Sequence, residues 1–150
     1  MVCIAPDFES SRYRAPMDIV ELAPFGGISV LVIDDVDINY KVIDRILAPF
    51  GIDVTHASLG HNGVKFLHDS PHAFDLVLVD LVMPDFSGFD VLSVLREENG
   101  SEHLPPMVAY TASTDKAIEG QWIREGGRGM LRKPVSIASI HFLLSCLAKK

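Results

Sequence analysis

The feature that most constrains this chain is a run with no alternation in it. Residues 76 to 80 read LVLVD, four apolar side chains in succession before a carboxylate. A strand with one wet face alternates apolar and polar residues, whereas a strand covered on both faces need not. Residues 29 to 33 (SVLVI) and 107 to 111 (MVAYT) repeat the pattern. Between the runs lie segments with helical spacing. Ile38, Val42, Ile43, Ile46 and Leu47 recur over 37 to 48, where Pro49 and Gly51 stop the helix. Further helices are expected over 60 to 69, 87 to 97, 114 to 125 and 136 to 148, and shorter strands over 52 to 56 and 129 to 132. Five strand–helix units of this kind predict an α/β fold. The expected architecture is a doubly wound parallel sheet of five strands with five helices, in a three-layer sandwich with right-handed crossovers.

The 150 residues, 48% of them apolar, are enough for one sizeable core. The boundaries expected are an extension over 1 to 25, broken by Pro6, Pro16 and Pro24, and a domain over 26 to 150. Within the extension, MDIVEL is a candidate for a short packed element, with a loose arm as the simpler expectation. The net charge of -7 disfavours a nucleic-acid binder. No apolar run reaches membrane length and no signal peptide is evident, so a cytoplasmic location is expected. Cys3 and Cys146 stand near opposite ends without CxxC spacing. They are read as free thiols of a reducing compartment, with a single disulfide as the alternative.

Ligands of such a sheet bind beyond the carboxyl ends of its strands. Those ends carry Asp34-Asp35, Asp80, Thr111-Ala112 and Lys133-Pro134. A buried carboxylate needs a partner, and three together need a cation. Oxygen ligands without neighbouring His or Cys point to Mg²⁺, with Mn²⁺ possible. With a lysine and a hydroxyl to bind phosphoryl oxygens, the set suits phosphoryl transfer onto Asp80. Each residue alone has a plainer explanation: Asp34 as a helix cap, Lys133 as a surface charge.

The segments VLVIDDVDIN (30 to 39), LVLVDLVMPDFSGFD (76 to 90), VAYTA (108 to 112) and LRKP (131 to 134) closely resemble the receiver domain of two-component response regulators, the CheY-like family. The resemblance spans about residues 28 to 148. It implies the flavodoxin-like strand order 2-1-3-4-5. It implies that Asp80 is the phosphoacceptor, that Asp35 binds the metal directly and Asp34 largely through water, and that the Val82 carbonyl completes the site. Thr111 resembles the switch hydroxyl and Lys133 the phosphate-binding lysine, with a cis Lys133-Pro134 bond. Gly88 matches the glycine opening the third helix, and Ala112 the small residue beside the phosphoryl group. Val82 and Ser113 match the positions lining the hydrolytic water's route. Met130 departs from the pattern: the family often has Tyr or Phe there as a rotameric switch. Tyr110, next to Thr111, points to the other face and is expected to be a poor substitute.

The expected function is phosphorelay signalling. A histidine kinase or histidine phosphotransfer protein donates to Asp80, and a surface read by a downstream target protein then switches. The domain catalyses only its own phosphorylation and dephosphorylation and is not otherwise an enzyme. Only the last helix follows the final strand, so no DNA-binding domain is expected; oligomeric state stays open. The alternatives are an unphosphorylated pseudo-receiver and a receiver cut from a hybrid histidine kinase. A phosphohydrolase would want a carboxylate where Val82 stands, and a flavodoxin-like cofactor binder would not place two acids after the first strand. The histidines show no metal-binding spacing. Trp122 is expected in the core, and Gly126-Gly127-Arg128-Gly129, with no helix after it, is not a dinucleotide loop.

Overall fold

The computed structural model describes residues 2–5, 25–99 and 104–148. Its elements run β1 (Cys3–Ile4), β2 (Ser29–Ile33), α1 (Asp37–Leu47), β3 (Asp53–Ala57), α2 (Gly60–Asp69), β4 (Leu76–Asp80), α3 (Gly88–Asn99), β5 (Met107–Thr111), α4 (Lys116–Arg124), β6 (Gly129–Arg132) and α5 (Ile137–Ala148), with a 3₁₀ turn over Ala48–Phe50 after α1. The strands form one sheet in the order β1-β6-β5-β4-β2-β3, and every pairing is parallel. The five strands expected from the apolar runs are present in the doubly wound order. The correction is a sixth strand: Cys3 and Ile4 pair with Gly129 and Met130 and cover the β6 edge. The segment MDIVEL lies outside the described residues.

A second correction concerns the cysteines. They are not free: Cys3 and Cys146 form a disulfide that joins β1 to α5 across a sequence separation of 143 residues. A two-residue strand is too short to hold by its ladder alone. The covalent link and the burial of Cys3 and Ala5, 1% and 2% exposed, hold it here.

Every residue of β4 is buried, which is why its sequence shows no alternation. Its side chains divide between two cores. Leu76 and Leu78 pack with Val30, Val32, Ile43 and Leu143 under α1 and α5. Val77 and Val79 pack with Leu31, Leu67, Leu95 and Trp122 under α2, α3 and α4. Each such side chain contributes about 1.5–3 kcal/mol of transfer free energy. Trp122 is fully buried, donates its indole N–H to the Gly129 carbonyl at 2.9 Å, and meets Phe89 edge-on. Gly127 lies against the indole, and a Cβ there would overlap the ring. The glycine-rich turn thus serves packing.

Candidate functional site

β2 and β4 are neighbours because the chain lays β3 on one side of β2 and returns to lay β4 on the other. That reversal opens a crevice at the carboxyl ends of both strands. Asp34 follows β2 and Asp80 ends β4, so both face it. Asp34 is fully buried and Asp80 is 5% exposed, while Asp35 is exposed at the rim. Oxygen atoms of Asp34, Asp35 and Asp80 lie within 4.8 Å of one another.

Lys133, just past β6, reaches back into this cluster. Its Nζ lies 3.1 Å from Asp80 Oδ2 and 3.3 Å from Asp34 Oδ2. The Lys133-Pro134 peptide is cis, as expected. Asp34 is held further by the Val36 N–H at 2.8 Å and the Asn39 amide at 2.9 Å. The Val82 N–H donates to Asp80 Oδ1 at 3.0 Å, and the Val82 side chain projects into solvent at 77% exposure. Burial raises the Asp80 pKa, and so does the charge of Asp34. The Val82 N–H and the Lys133 ammonium oppose both, and the net direction is up. The formal charge of three carboxylates and one ammonium is -2, which a divalent cation would balance. The all-oxygen donor set suits Mg²⁺ and the fold brings its members together.

Thr111, 4% exposed, ends β5 and accepts the Ser113 N–H at 3.1 Å. Its backbone carbonyl accepts the Lys133 N–H at 2.9 Å, which ties the hydroxyl strand to the lysine strand. Gly88 opens α3, where a Cβ would come 2.7 Å from the Asp80 carbonyl; only glycine lets the helix start so close. Ser87 and Asp90 cap that start reciprocally: the Ser87 N–H donates to Asp90 at 3.0 Å and the Asp90 N–H to Ser87 Oγ at 3.2 Å. Met130 is 3% exposed and sits opposite Ala109, on the face that carries Thr111. Tyr110 packs on the other face, as expected. It still reaches the site, because the Lys133 ammonium stands 4.9 Å from its ring centre.

Three contributors escaped the sequence reading. Asn39 secures Asp34 from α1. His56 shares a 2.8 Å hydrogen bond with the Asp34 carbonyl and stacks on Tyr40 at 4.4 Å. Asp85 accepts from the N–H groups of Gly60 and His61 and from the His61 ring, pinning the β4–α3 loop to α2. Asn39 stands five residues after Asp34, in the first turn of α1, a spacing that could have been noticed. The other two depend on which elements meet in space, β3 beside the end of β2 for His56 and the β4–α3 loop against α2 for Asp85.

A doubly wound parallel sheet with an acidic, lysine-bridged crevice at its switch point defines a class of phosphate-handling signalling modules. The chain belongs to the response regulator receiver domain family, whose model matches residues 30–145. It is 31% identical over 129 residues to Ethylene receptor 2 of Oryza sativa subsp. japonica, covering 84% of this chain and 17% of that protein. It is 31% identical over 117 residues to the Aerobic respiration control sensor protein ArcB of Escherichia coli (strain K12), covering 78% of this chain and 15% of that protein. The chain thus spans about a sixth of the length of these relatives. Among solved structures, the receiver domain of the Francisella response regulator 1452 superposes with a TM-score of 0.70 at 27% identity, covering 82% of this chain and 98% of that one. The chemotaxis protein CheY4 of Vibrio cholerae shares the fold, with a TM-score of 0.68 at 23% identity over 81% of this chain and 97% of that one. Among the described residues, no helix is long and apolar enough to cross a membrane.

Proposed function

We propose that the domain accepts a phosphoryl group on Asp80 from a phosphohistidine donor, a histidine kinase or a histidine phosphotransfer protein. The observation that carries this reading is the Lys133 ammonium bridging Asp34 and Asp80 at the switch point. Asp34, Asp35, Asp80 and the Val82 carbonyl would hold Mg²⁺, or Mn²⁺ in its place. A carboxylate oxygen of Asp80 forms the new P–O bond as the P–N bond to the donor imidazole breaks. Lys133 neutralises charge on the transferring group, Thr111 donates a hydrogen bond to it, and a bound metal would supply further charge neutralisation there. Phosphorylation then biases the surface formed by residues 112 to 140, which a downstream protein reads in the cytoplasm. Met130 accommodates the movement of Thr111 without an aromatic flip.

The test is acetyl phosphate with Mg²⁺, followed by intact-mass analysis. One base-labile phosphoryl group is expected on the wild type and none on Asp80→Asn. A label that persists in Asp80→Asn would falsify the assignment. A second reading, a receiver module within a larger sensor, is favoured by the matches to ArcB and to Hybrid signal transduction histidine kinase I of Dictyostelium discoideum. In that setting the donor histidine belongs to the same polypeptide, and the chemistry at Asp80 is unchanged.

A further inference from the structure

The acidic crevice leaves one conspicuous construction unexplained: the covalent attachment of a two-residue strand to the sheet edge nearest the lysine strand. Three observations bear on it. First, β1 contacts the backbone of β6 directly, the Cys3 N–H donating to the Arg128 carbonyl at 2.8 Å and the Ala5 N–H to the Met130 carbonyl at 3.1 Å. Second, the edge has room for it. Gly129 has an ordinary φ, so backbone freedom does not require glycine there, yet a Cβ would collide with the Cys3 carbonyl. Third, the disulfide ends on α5, so β6 and α5 are tied through the same short strand. Met130 and Lys133 lie on or just beyond β6.

We propose that the Cys3–Cys146 disulfide is a redox latch that holds the N-terminal strand over the β6 edge and restrains the β6–α5 unit against rearrangement. Two hydrogen bonds and a two-residue ladder are a weak seat without the covalent link. A disulfide with one sulfur within reach of solvent opens and closes by thiol exchange. A dithiol reductant opens it by exchange. One reductant thiolate attacks the half-buried Cys146 sulfur and expels the Cys3 thiolate. The second reductant thiol then closes the reductant's own disulfide and expels the Cys146 thiolate. Two electrons pass from reductant to protein, and the reductant's two protons end on Cys3 and Cys146. Resting on the phosphoacceptor reading, the latch also tunes output. The disulfide form resists the rearrangement of residues 112 to 140, and the dithiol form permits it.

The experiment is amide hydrogen exchange by NMR on the full chain, oxidised, reduced with dithiothreitol, and as Cys3→Ser/Cys146→Ser. The Met130 carbonyl faces β1, so its N–H faces β1 too; the Leu131 N–H faces β5 and serves as internal control. Reduction and the double variant are expected to speed Met130 exchange about tenfold or more beyond any change at Leu131, which follows global stability. Equal Met130 protection in all forms overturns the latch, because the strand then seats unaided. Acceleration of both amides by the same factor also overturns it, because the disulfide then acts only through the whole fold. Gly129→Ala keeps both cysteines and is expected to slow reoxidative closure; an unchanged rate overturns the proposed seat. Beryllofluoride, a phosphoryl mimic, separates the two readings. Larger shifts across residues 112 to 140 in the reduced protein support the coupling, and equal shifts overturn it. Absence of any beryllofluoride response overturns the coupling together with the phosphoacceptor reading, while Met130 exchange decides the latch on its own.

Discussion

The crevice at the carboxyl ends of the strands and the β1–β6 edge are built on opposite principles. The crevice gathers like charges in a buried place: Asp34 and Asp80 share one ammonium, and Asp35 stands beside them. Burial weighs against the charges of Asp34 and Asp80, a cost to stability that a cation would offset. The edge is held by apolar packing. Cys3 and Ala5 are buried among Val108, Leu131 and Leu144, and a covalent bond fixes them. One region gives up stability for chemistry, and the other adds stability where the sheet would otherwise present an open edge. The two meet in β6, one side of which carries the latch while its end carries the lysine.

The sharpest way to break this contrast is to remove the link at the edge. Cys146→Ser is expected to lower unfolding stability by about 3 kcal/mol, within the usual range for losing a native disulfide. Because the buried contacts of Cys3 and Ala5 are apolar, the loss should be the same with and without Mg²⁺ and across pH 6 to 8. Chemical denaturation under both conditions checks this. A Mg²⁺-dependent loss would show that the edge and the crevice are not energetically separate.

A smaller effect of opposite character is expected in the crevice. Lys133→Met leaves Asp34 and Asp80 facing each other without their shared cation. The lysine is partly exposed, so a full buried-pair loss is discounted to about 2 kcal/mol at pH 7. Mg²⁺ should restore more stability to this variant than to the wild type, since it replaces the missing positive charge. Denaturation with and without Mg²⁺ provides the measurement. An equal Mg²⁺ increment in both proteins would mean that cation and lysine do not serve the same carboxylates.

The same contrast explains what could be read in advance. The crevice was legible because its residues are tied to strand ends, and strand ends are marked by where apolar runs stop. Asp34, Asp80, Thr111 and Lys133 each stand at such a stop, and a parallel sheet brings all stops to one edge. The doubly wound parallel sheet followed from the alternation of strands and helices, while the order β6-β5-β4-β2-β3 came from the family resemblance. The latch was not legible, because a pairing of two cysteines 143 residues apart leaves no local pattern, and a two-residue strand has no periodicity to detect. Tyr110 was assigned to the correct face by strand alternation. Its contact with Lys133 was missed because the lysine turns back after β6, and alternation says nothing about a long side chain beyond the strand.

The smallest expected effect concerns the rim that lies between the two regions in character, a loop held by a titratable pair. Asp85 lies in the loop after Asp80, and its carboxylate meets the His61 ring at 2.6 Å while Phe86 stacks on that ring at 4.6 Å. Partial burial pushes the Asp85 pKa up. The His61 ring and the N–H groups of His61 and Gly60 push it down by more, so it lies below the ordinary 3.8. A carboxyl group with a lowered folded pKa adds stability that is fully present above its unfolded value and is lost as pH falls through the folded one. The pin on the β4–α3 loop should therefore hold at neutral pH and open only below the ordinary aspartate range. A ¹³C carboxyl titration should place Asp85 below 3.8 in the wild type and return it toward 3.8 in His61→Ala. The amides of residues 82 to 87 should follow the same curve, because they move with the pin. If Asp85 titrates at its ordinary value while those amides stay fixed, the loop is held by the Phe86 packing against Gly60 instead, and the rim belongs with the apolar edge.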